Sequence, residues 1–175
     1  AYLLRLWVNM TEKIEVVEGD FVVYPTHGVG RVTGVDQQMI SDCPIEVISV
    51  FFESERMTLR VPKHRAATSG LRKLSSRKLI DDALKVLRGK AKVKRTMWSR
   101  RAQEYEAKIN SGDPIAIAEV VRDLYRDEEQ PEQSFSERQI FQSALGRLTR
   151  ELAAIDGTDE AEAETKLQQF LKKAA

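Results

Sequence analysis

The stretch VVYPTHGVGRV, Val22–Val32, places a short turn between two runs of β-branched residues. Its G-x-G sequence, Gly28 to Gly30, would bind phosphate only if a helix began directly after it. Instead the run RVTGV follows, whose residues are typical of strands. Because Pro25 restricts φ and Gly28 can adopt a positive φ, we interpret the stretch as a turn that joins two strands.

The same β pattern extends on both sides of this turn, from Gly19 to Leu74. It comprises the runs FVVYP, RVTGV, IEVISVFF and MTLRV, with the polar connection Glu53-Ser54-Glu55 before the last one. Several short strands in so little sequence predict a small, strongly bent sheet or barrel. The run IEVISVFF is apolar on both faces beyond Glu46, which predicts a strand that is buried on both sides or open to a partner.

After Leu74 the apolar residues recur with a helical period, and the chain predicts about five helices. Ile80, Ala83, Leu84 and Leu87 have the spacing of one helix face. The first predicted helix starts after Ser75 or Ser76 and ends at Gly89, and the second spans about 97–110. The third opens at Asp113-Pro114, the fourth opens at Ser136 and ends at Gly157, and the fifth spans 158–174.

These patterns predict an α+β, two-domain protein. A β module spans residues 10–74 and an all-α bundle spans residues 75–175. Residues 1–9, AYLLRLWVN, are too short in their apolar part for a secretory signal, so we interpret them as an upstream extension or an expression remnant.

Composition excludes several classes of site. Cys43 is the one cysteine and there are two histidines, which are too few soft ligands for a zinc site. A single thiol cannot form an internal disulfide, and this favours a reducing, cytoplasmic setting. No apolar run approaches the roughly 18 residues of a membrane span. We therefore expect no metal, no cofactor and no membrane contact.

Catalysis is not expected either. A catalytic histidine requires a nucleophile or carboxylate to orient it, and His27 has no such sequence context. It is interpreted as a turn residue. The acidic pairs Asp81-Asp82 and Glu128-Glu129 are interpreted as solvated surface.

Charge is unevenly distributed along a chain whose net charge is +1. Residues 72–108 hold 13 basic and 4 acidic side chains, net +9, whereas residues 1–71 have a net charge of −2 and residues 109–175 of −6. A basic centre on a nearly neutral chain indicates a local contact with a polyanion, although a solvated helix face would have the same composition.

The basic region contains an aromatic residue in the stretch KVKRTMWSRRAQEY. Trp98 lies among Lys92, Lys94, Arg95, Arg100 and Arg101. Nucleic acids are recognised by this combination, since cations meet phosphates while an indole stacks on or wedges beside a base. The alternative is that Trp98 packs into the bundle, because Tyr105 follows it at i+7.

The segments VVYPTHGVGRV, TLRVP and TMWSRRAQEYEAKINSGDPIAIAEVVRDLY together resemble the CarD family of bacterial transcription regulators, over about residues 17–170. The N-terminal part alone also resembles the polymerase-binding module of transcription-repair coupling factors. Those proteins are helicases, and no Walker motif follows here. The resemblance to CarD implies a Tudor-like or SH3-like β module, a helical domain and no enzymatic activity.

The resemblance also implies partners and site residues. The β module would bind the RNA polymerase β subunit through Arg60, Val61 and Pro62. The helical domain would bind promoter DNA at the upstream fork of the bubble through Trp98 and its basic neighbours, with little sequence dependence, and would stabilise the open complex. Gln38 stands where some relatives carry a second polymerase-contacting arginine, which puts that contact in doubt.

From the residues themselves, the two-sided strand IEVISVFF, with Ile48 and Val50, is a candidate for β-augmentation by the polymerase. The basic residues Lys94, Arg95, Arg100 and Arg101 complete the predicted DNA site around Trp98. We expect a cytoplasmic monomer, associated with the nucleoid through RNA polymerase. The alternative function is a stand-alone DNA-binding repressor or architectural protein.

Overall fold

The computed structural model describes residues 14–172, which form two compact units. The first comprises residues up to 24 and 29–73, and the second comprises residues 25–28 and those from 74 onward. Residues 1–9, interpreted above as an extension, lie outside the described residues. The predicted α+β fold class is confirmed, with strands in the first unit and helices in the second.

The first unit is a five-stranded antiparallel sheet with the order β4-β3-β2-β1-β5. Its strands are β1 Phe21–Tyr24, β2 Gly28–Ile40, β3 Cys43–Phe52, β4 Met57–Pro62 and β5 Arg72–Lys73. A four-residue helix that the sequence did not predict, α1 Lys63–Ala66, lies between β4 and β5. The pairing register of β2 and β3 shifts between Val32 and Gly34. Such a bulge increases the twist and bend of a sheet.

The stretch between β1 and β2 is a turn, as predicted, and its two glycines serve different purposes. Gly28 has a φ of +80°, which an L side chain rarely adopts. Gly30 is required by space, because a Cβ there would lie 2.5 Å from Val50 Cγ1 and 2.8 Å from a ring carbon of Phe52. His27 lies in the turn, in agreement with its interpretation as a turn residue.

The second unit contains five helices among the described residues. They are α2 Arg77–Leu87, α3 Trp98–Asn110, α4 Pro114–Leu124, α5 Phe135–Asp156 and α6 Glu160–Lys172. Their apolar faces share one core that includes Leu84, Leu124, Leu148 and Leu167, all at most 3% exposed. The predicted starts of α2 at Ser76 and of α4 at Asp113 are confirmed, and both side chains accept a backbone N–H. The predicted end of α5 at Gly157, with a φ of +67°, is confirmed as well.

Hydrogen bonds from side chains of α5 also stabilise this unit. Glu151 of α5 is 3% exposed and accepts hydrogen bonds from the Ser75 backbone N–H at 3.0 Å and the Ser75 hydroxyl at 2.6 Å. Arg147 of α5 donates to the carbonyl oxygens of Pro25, at 2.6 Å, and of Thr26. The four turn residues 25–28 are thus held by α5 within the second unit.

Candidate functional site

The basic segment, residues 88–101, holds seven basic and no acidic side chains. Its first ten residues follow the end of α2 at Leu87 and form no helix, because they lack an apolar stripe that could pack on a core. Helix α3 then begins at Trp98. The segment therefore presents most of its cations on an irregular, exposed stretch of chain.

The backbone of the basic segment is anchored by Asp123 of α4. Its side chain is buried, and Oδ1 accepts the backbone N–H of Lys92 at 2.9 Å and the Nε–H of Arg122 at 3.0 Å. A buried carboxylate requires such partners, because leaving it unpaired is costly. Asp123 was not among the residues predicted from the sequence. The only signal was the charged pair Arg122-Asp123 at the end of a helix that is apolar elsewhere except at Glu119.

Three cations of the basic segment are engaged within the chain. Arg88 stacks on the Phe170 ring, with its guanidinium carbon 4.3 Å from the centroid. Lys94 forms an exposed ion pair with Glu104 at 3.3 Å. Arg101 lies against the aromatic rings of α3, as described below.

The other cations of the segment are exposed, and among residues 14–172 no ion pair involves Arg95 or Arg100. Of the predicted DNA-contacting residues, Arg95 and Arg100 therefore have the most freedom to meet phosphates. Lys94 is also exposed, but Glu104 offsets part of its charge.

Trp98 is half-buried and packs against the helical core. It is therefore neither a fully exposed side chain nor a fully buried part of the bundle. Its ring centroid lies 6.3 Å from that of Tyr105, at an interplanar angle of 48°. The Arg101 guanidinium carbon lies 5.4 Å from the Trp98 centroid and 5.8 Å from the Tyr105 centroid. Both distances are in the range of cation–π attraction. Arg101 therefore supports the aromatic pair and has less freedom to bind a phosphate than Arg100.

The indole N–H of Trp98 donates to the hydroxyl of Ser136 at 3.2 Å. Ser136 was predicted to be the N-cap of α5, and this prediction is wrong. The N-cap is Ser134, two residues earlier, and its side chain accepts the Glu137 backbone N–H at 3.3 Å. Serine is a preferred N-cap residue at either position, so only the backbone geometry identifies which of the two serves as the cap.

In the first unit, β4 lies at one end of the sheet order. Within the described residues, β3 is the one strand paired with β4, so its other edge has backbone groups available to a further strand. Arg60 is exposed, Pro62 is half-buried and Val61 is only 6% exposed. Of these three residues, all predicted to contact the polymerase, Arg60 is the most exposed.

Ile48 and Val50 were predicted to contact the polymerase, and their positions contradict a side-chain role in that contact. Both are 0% exposed and belong to the core of the first unit. Strand β3 is paired on both sides, with β2 and with β4, so it has no free edge along these residues. The apolar character of the strand at Ile48 and Val50 therefore reflects burial, whereas Phe51 of the same strand is exposed. Gln38 pairs with Ile45, beyond the part of β3 that pairs with β4.

The outer sheet face is a surface that the sequence analysis missed, formed by Phe21, Arg31, Phe51, Thr58 and Arg60. Phe51 pairs with Arg31 on one side and Thr58 on the other, and Arg60 pairs with Ser49, so these residues share a face. All five are exposed, and the Arg31 guanidinium carbon lies 5.4 Å from the Phe21 centroid. Exposed aromatic and arginine side chains are enriched at protein–protein interfaces.

Within residues 14–172, no group of three or more histidine, cysteine, aspartate or glutamate side chains is arranged to hold a metal ion. No helix in the same range has the length and apolarity that crossing a membrane requires.

Two family models match the chain, one over each unit. Residues 17–75 match the CarD-like/TRCF RID domain, and residues 82–168 match the CarD C-terminal domain. The chain belongs to the CarD family. The RID domain is Tudor-like, which agrees with the predicted type of β module.

A curated protein of Bacillus subtilis (strain 168) is similar to this CarD-family chain. It is named "Putative transcription factor YdeB" and is 25% identical over 142 residues, which cover 81% of this chain and 93% of the relative. The chain is a transcription regulator that interacts with RNA polymerase, as its CarD-like domains indicate.

Proposed function

We propose that this chain binds the β subunit of RNA polymerase through β4 and the outer sheet face, binds promoter DNA at the upstream edge of the transcription bubble through the basic segment, and so stabilises the open complex. The observation that supports DNA binding is the exposed basic segment, which contains the half-buried Trp98. Cations attract the phosphate backbone without reading sequence, and an indole among them can contact an unstacked base.

The polymerase half is supported by the edge of β4 and by the family resemblance. A strand from a partner can add to an edge strand through main-chain hydrogen bonds, with side chains on one face setting specificity. Arg60 lies on that edge strand and belongs to the outer sheet face. Binding through β4 leaves the buried Ile48 and Val50 with a structural role only.

The polymerase contact is tested with Arg60→Glu. We expect the variant to lose at least tenfold in affinity for purified β subunit, because charge reversal within an interface places like charges or unpaired groups against each other. Arg65→Glu is the matched control, since Arg65 is also exposed in the same unit and lies on α1. Equal binding by both variants would contradict the assignment to β4.

The DNA contact is tested with Trp98→Ala on a promoter template. We expect polymerase binding to persist and the open-complex lifetime to fall several-fold, since a change of about 1.4 kcal/mol is a tenfold change in an equilibrium constant. Tight binding to free DNA that needs no polymerase would instead support a stand-alone DNA-binding protein.

A further inference from the structure

The start of α5 supplies a contact to the Trp98 indole that nothing in the basic segment itself provides. Trp98 is the first residue of α3, and its indole N–H donates to the Ser136 hydroxyl at 3.2 Å. Ser136 comes from a different helix, 38 positions along the chain. The bond therefore ties the first turn of α3 to the first turn of α5 within the helical unit.

The hydroxyl of Ser136 is not needed to cap its own helix. Ser134 performs that role by accepting the Glu137 backbone N–H. A serine hydroxyl inside the first turn ordinarily competes for backbone groups, but here it accepts a side-chain donor from outside the helix. The bond can be removed without removing the helix cap.

Three contacts together restrict the indole plane. Tyr105 packs at a tilt of 48°, Arg101 lies 5.4 Å from the indole centroid, and Ser136 holds the N–H edge. The first two contacts restrain the ring but permit rotation about its side-chain bonds. A directed hydrogen bond to the N–H selects one orientation. A side chain that meets a base in a fixed plane binds it at a lower entropic cost.

We infer that Ser136 is a positioning residue, which sets the orientation in which the Trp98 indole meets a base at the edge of the melted DNA. This inference rests on the proposed function. Ser136 acts through the indole and does not itself touch the DNA.

The orientation of the indole is tested by fluorescence in a Trp7→Phe background, where Trp98 is the remaining tryptophan. We expect Ser136→Ala to increase acrylamide quenching of Trp98 and to lower its fluorescence anisotropy. Ser136→Thr retains a hydroxyl and should restore both values. Ser134→Ala is the matched control. It should lower the melting temperature through loss of the cap and leave the quenching unchanged.

The functional consequence is measured as open-complex lifetime with full-length protein and polymerase. We expect Ser136→Ala to shorten it by about two- to fivefold, in line with loss of one hydrogen bond, with unchanged β-subunit affinity. If Trp98→Ala shortens the lifetime and Ser136→Ala does not, the inference is overturned while the proposed function stands. If Trp98→Ala has no effect, both fail. A drop in melting temperature for Ser136→Ala as large as that for Ser134→Ala would assign Ser136 a structural role and also overturn the inference.

Discussion

Strand β4 and the basic segment are both short surface regions with arginines, yet different features decide which of their side chains are exposed. In β4, successive side chains point to opposite faces of the sheet, so Arg60 is exposed while Val61 is only 6% exposed. In the basic segment, Arg100 and Arg101 lie in the first turn of α3, where Arg100 is exposed and Arg101 is on the helix face that carries Trp98 and Tyr105. Strand alternation decides which charges of β4 are exposed. In the basic segment, the helix face decides this for Arg100 and Arg101, and a partner distant in sequence, Phe170, engages Arg88.

The difference shows why a count of charges overstates a binding surface. Seven cations in residues 88–101 indicate a strong polyanion site, but Arg88, Lys94 and Arg101 already have partners within the chain. Their roles are to hold Phe170, to pair with Glu104 and to support Trp98. Fewer phosphate contacts than cations are therefore expected, and the following substitutions test the comparison from both sides.

The largest effect is expected from Asp123→Ala, which removes the anchor of the basic segment. The change leaves the mostly buried Arg122 guanidinium and the Lys92 backbone N–H without this acceptor. Breaking one partner of a buried ion pair costs about 3–5 kcal/mol, so chemical denaturation should show a loss near that range. DNA affinity should fall as well, because the basic segment loses its fixed path. Asp82→Ala is the control, since Asp82 is only half-buried and its contact to Lys85 is 4.0 Å long.

The sheet side of the comparison is tested by Gly30→Ala. An added Cβ would meet the side chains of Val50 and Phe52 at less than 3.0 Å, so these buried side chains would have to shift. We expect the free energy of unfolding to fall by about 1–3 kcal/mol, as in other overpacked cores. Gly34→Ala is the matched control, because its added Cβ would meet only Asp36 Oδ2, at 3.5 Å. Equal losses for the two variants would show that the packing of Gly30 on Phe52 is not what the sheet requires.

Arg100→Ala and Arg101→Ala compare neighbouring cations directly. If Arg100 meets a phosphate, its loss should reduce the slope of log affinity against log salt by about 1 in DNA-binding titrations. Arg101→Ala should change that slope less, but should alter Trp98 fluorescence because it removes the cation beside the indole. The opposite result, a slope change for Arg101 alone, would mean that the cation leaves the aromatic pair when DNA binds.

The smallest effect concerns Asp156, which links α2, α5 and α6 by accepting from Arg77 and from Lys166 at 3.2 Å. Burial alone would raise the pKa of Asp156, but the hydrogen bonds from Arg77 and Lys166 outweigh it and hold the pKa below its ordinary value of 3.8. The stabilisation is therefore fully present above pH 3.8 and is lost as the pH falls through the lowered pKa.

Thermal melts of the wild type and of Asp156→Asn between pH 6 and pH 2 measure this contribution. The wild type should be more stable at pH 6, by no more than about 1 kcal/mol because Arg77 is largely exposed, and the difference should shrink below pH 3.8. A constant difference across this pH range would show that the carboxylate charge contributes nothing.

Much of the local structure follows from residue pattern alone. Apolar spacing predicted α2, the Asp113-Pro114 pair predicted the start of α4, and Gly157 predicted the end of α5, because helix periodicity and caps depend on neighbours within one turn. The turn at Pro25–Gly28 and the division into strands and helices also follow from local residue pattern. The sequence did not decide between two equally good caps, Ser134 and Ser136, or between burial and an open surface for the strand that contains Ile48 and Val50.

The sequence by itself determined the order of the four longer strands and of the five bundle helices, the basic segment and the residues that resemble the CarD family, since each is encoded in nearby positions. Only the tertiary structure decided which of those residues are available. The Arg88 ring contact, the Asp123 anchor and the Ser136 bond to Trp98 each join residues more than 30 positions apart. No local rule pairs them, because the pairing depends on how the helices pack around a shared core.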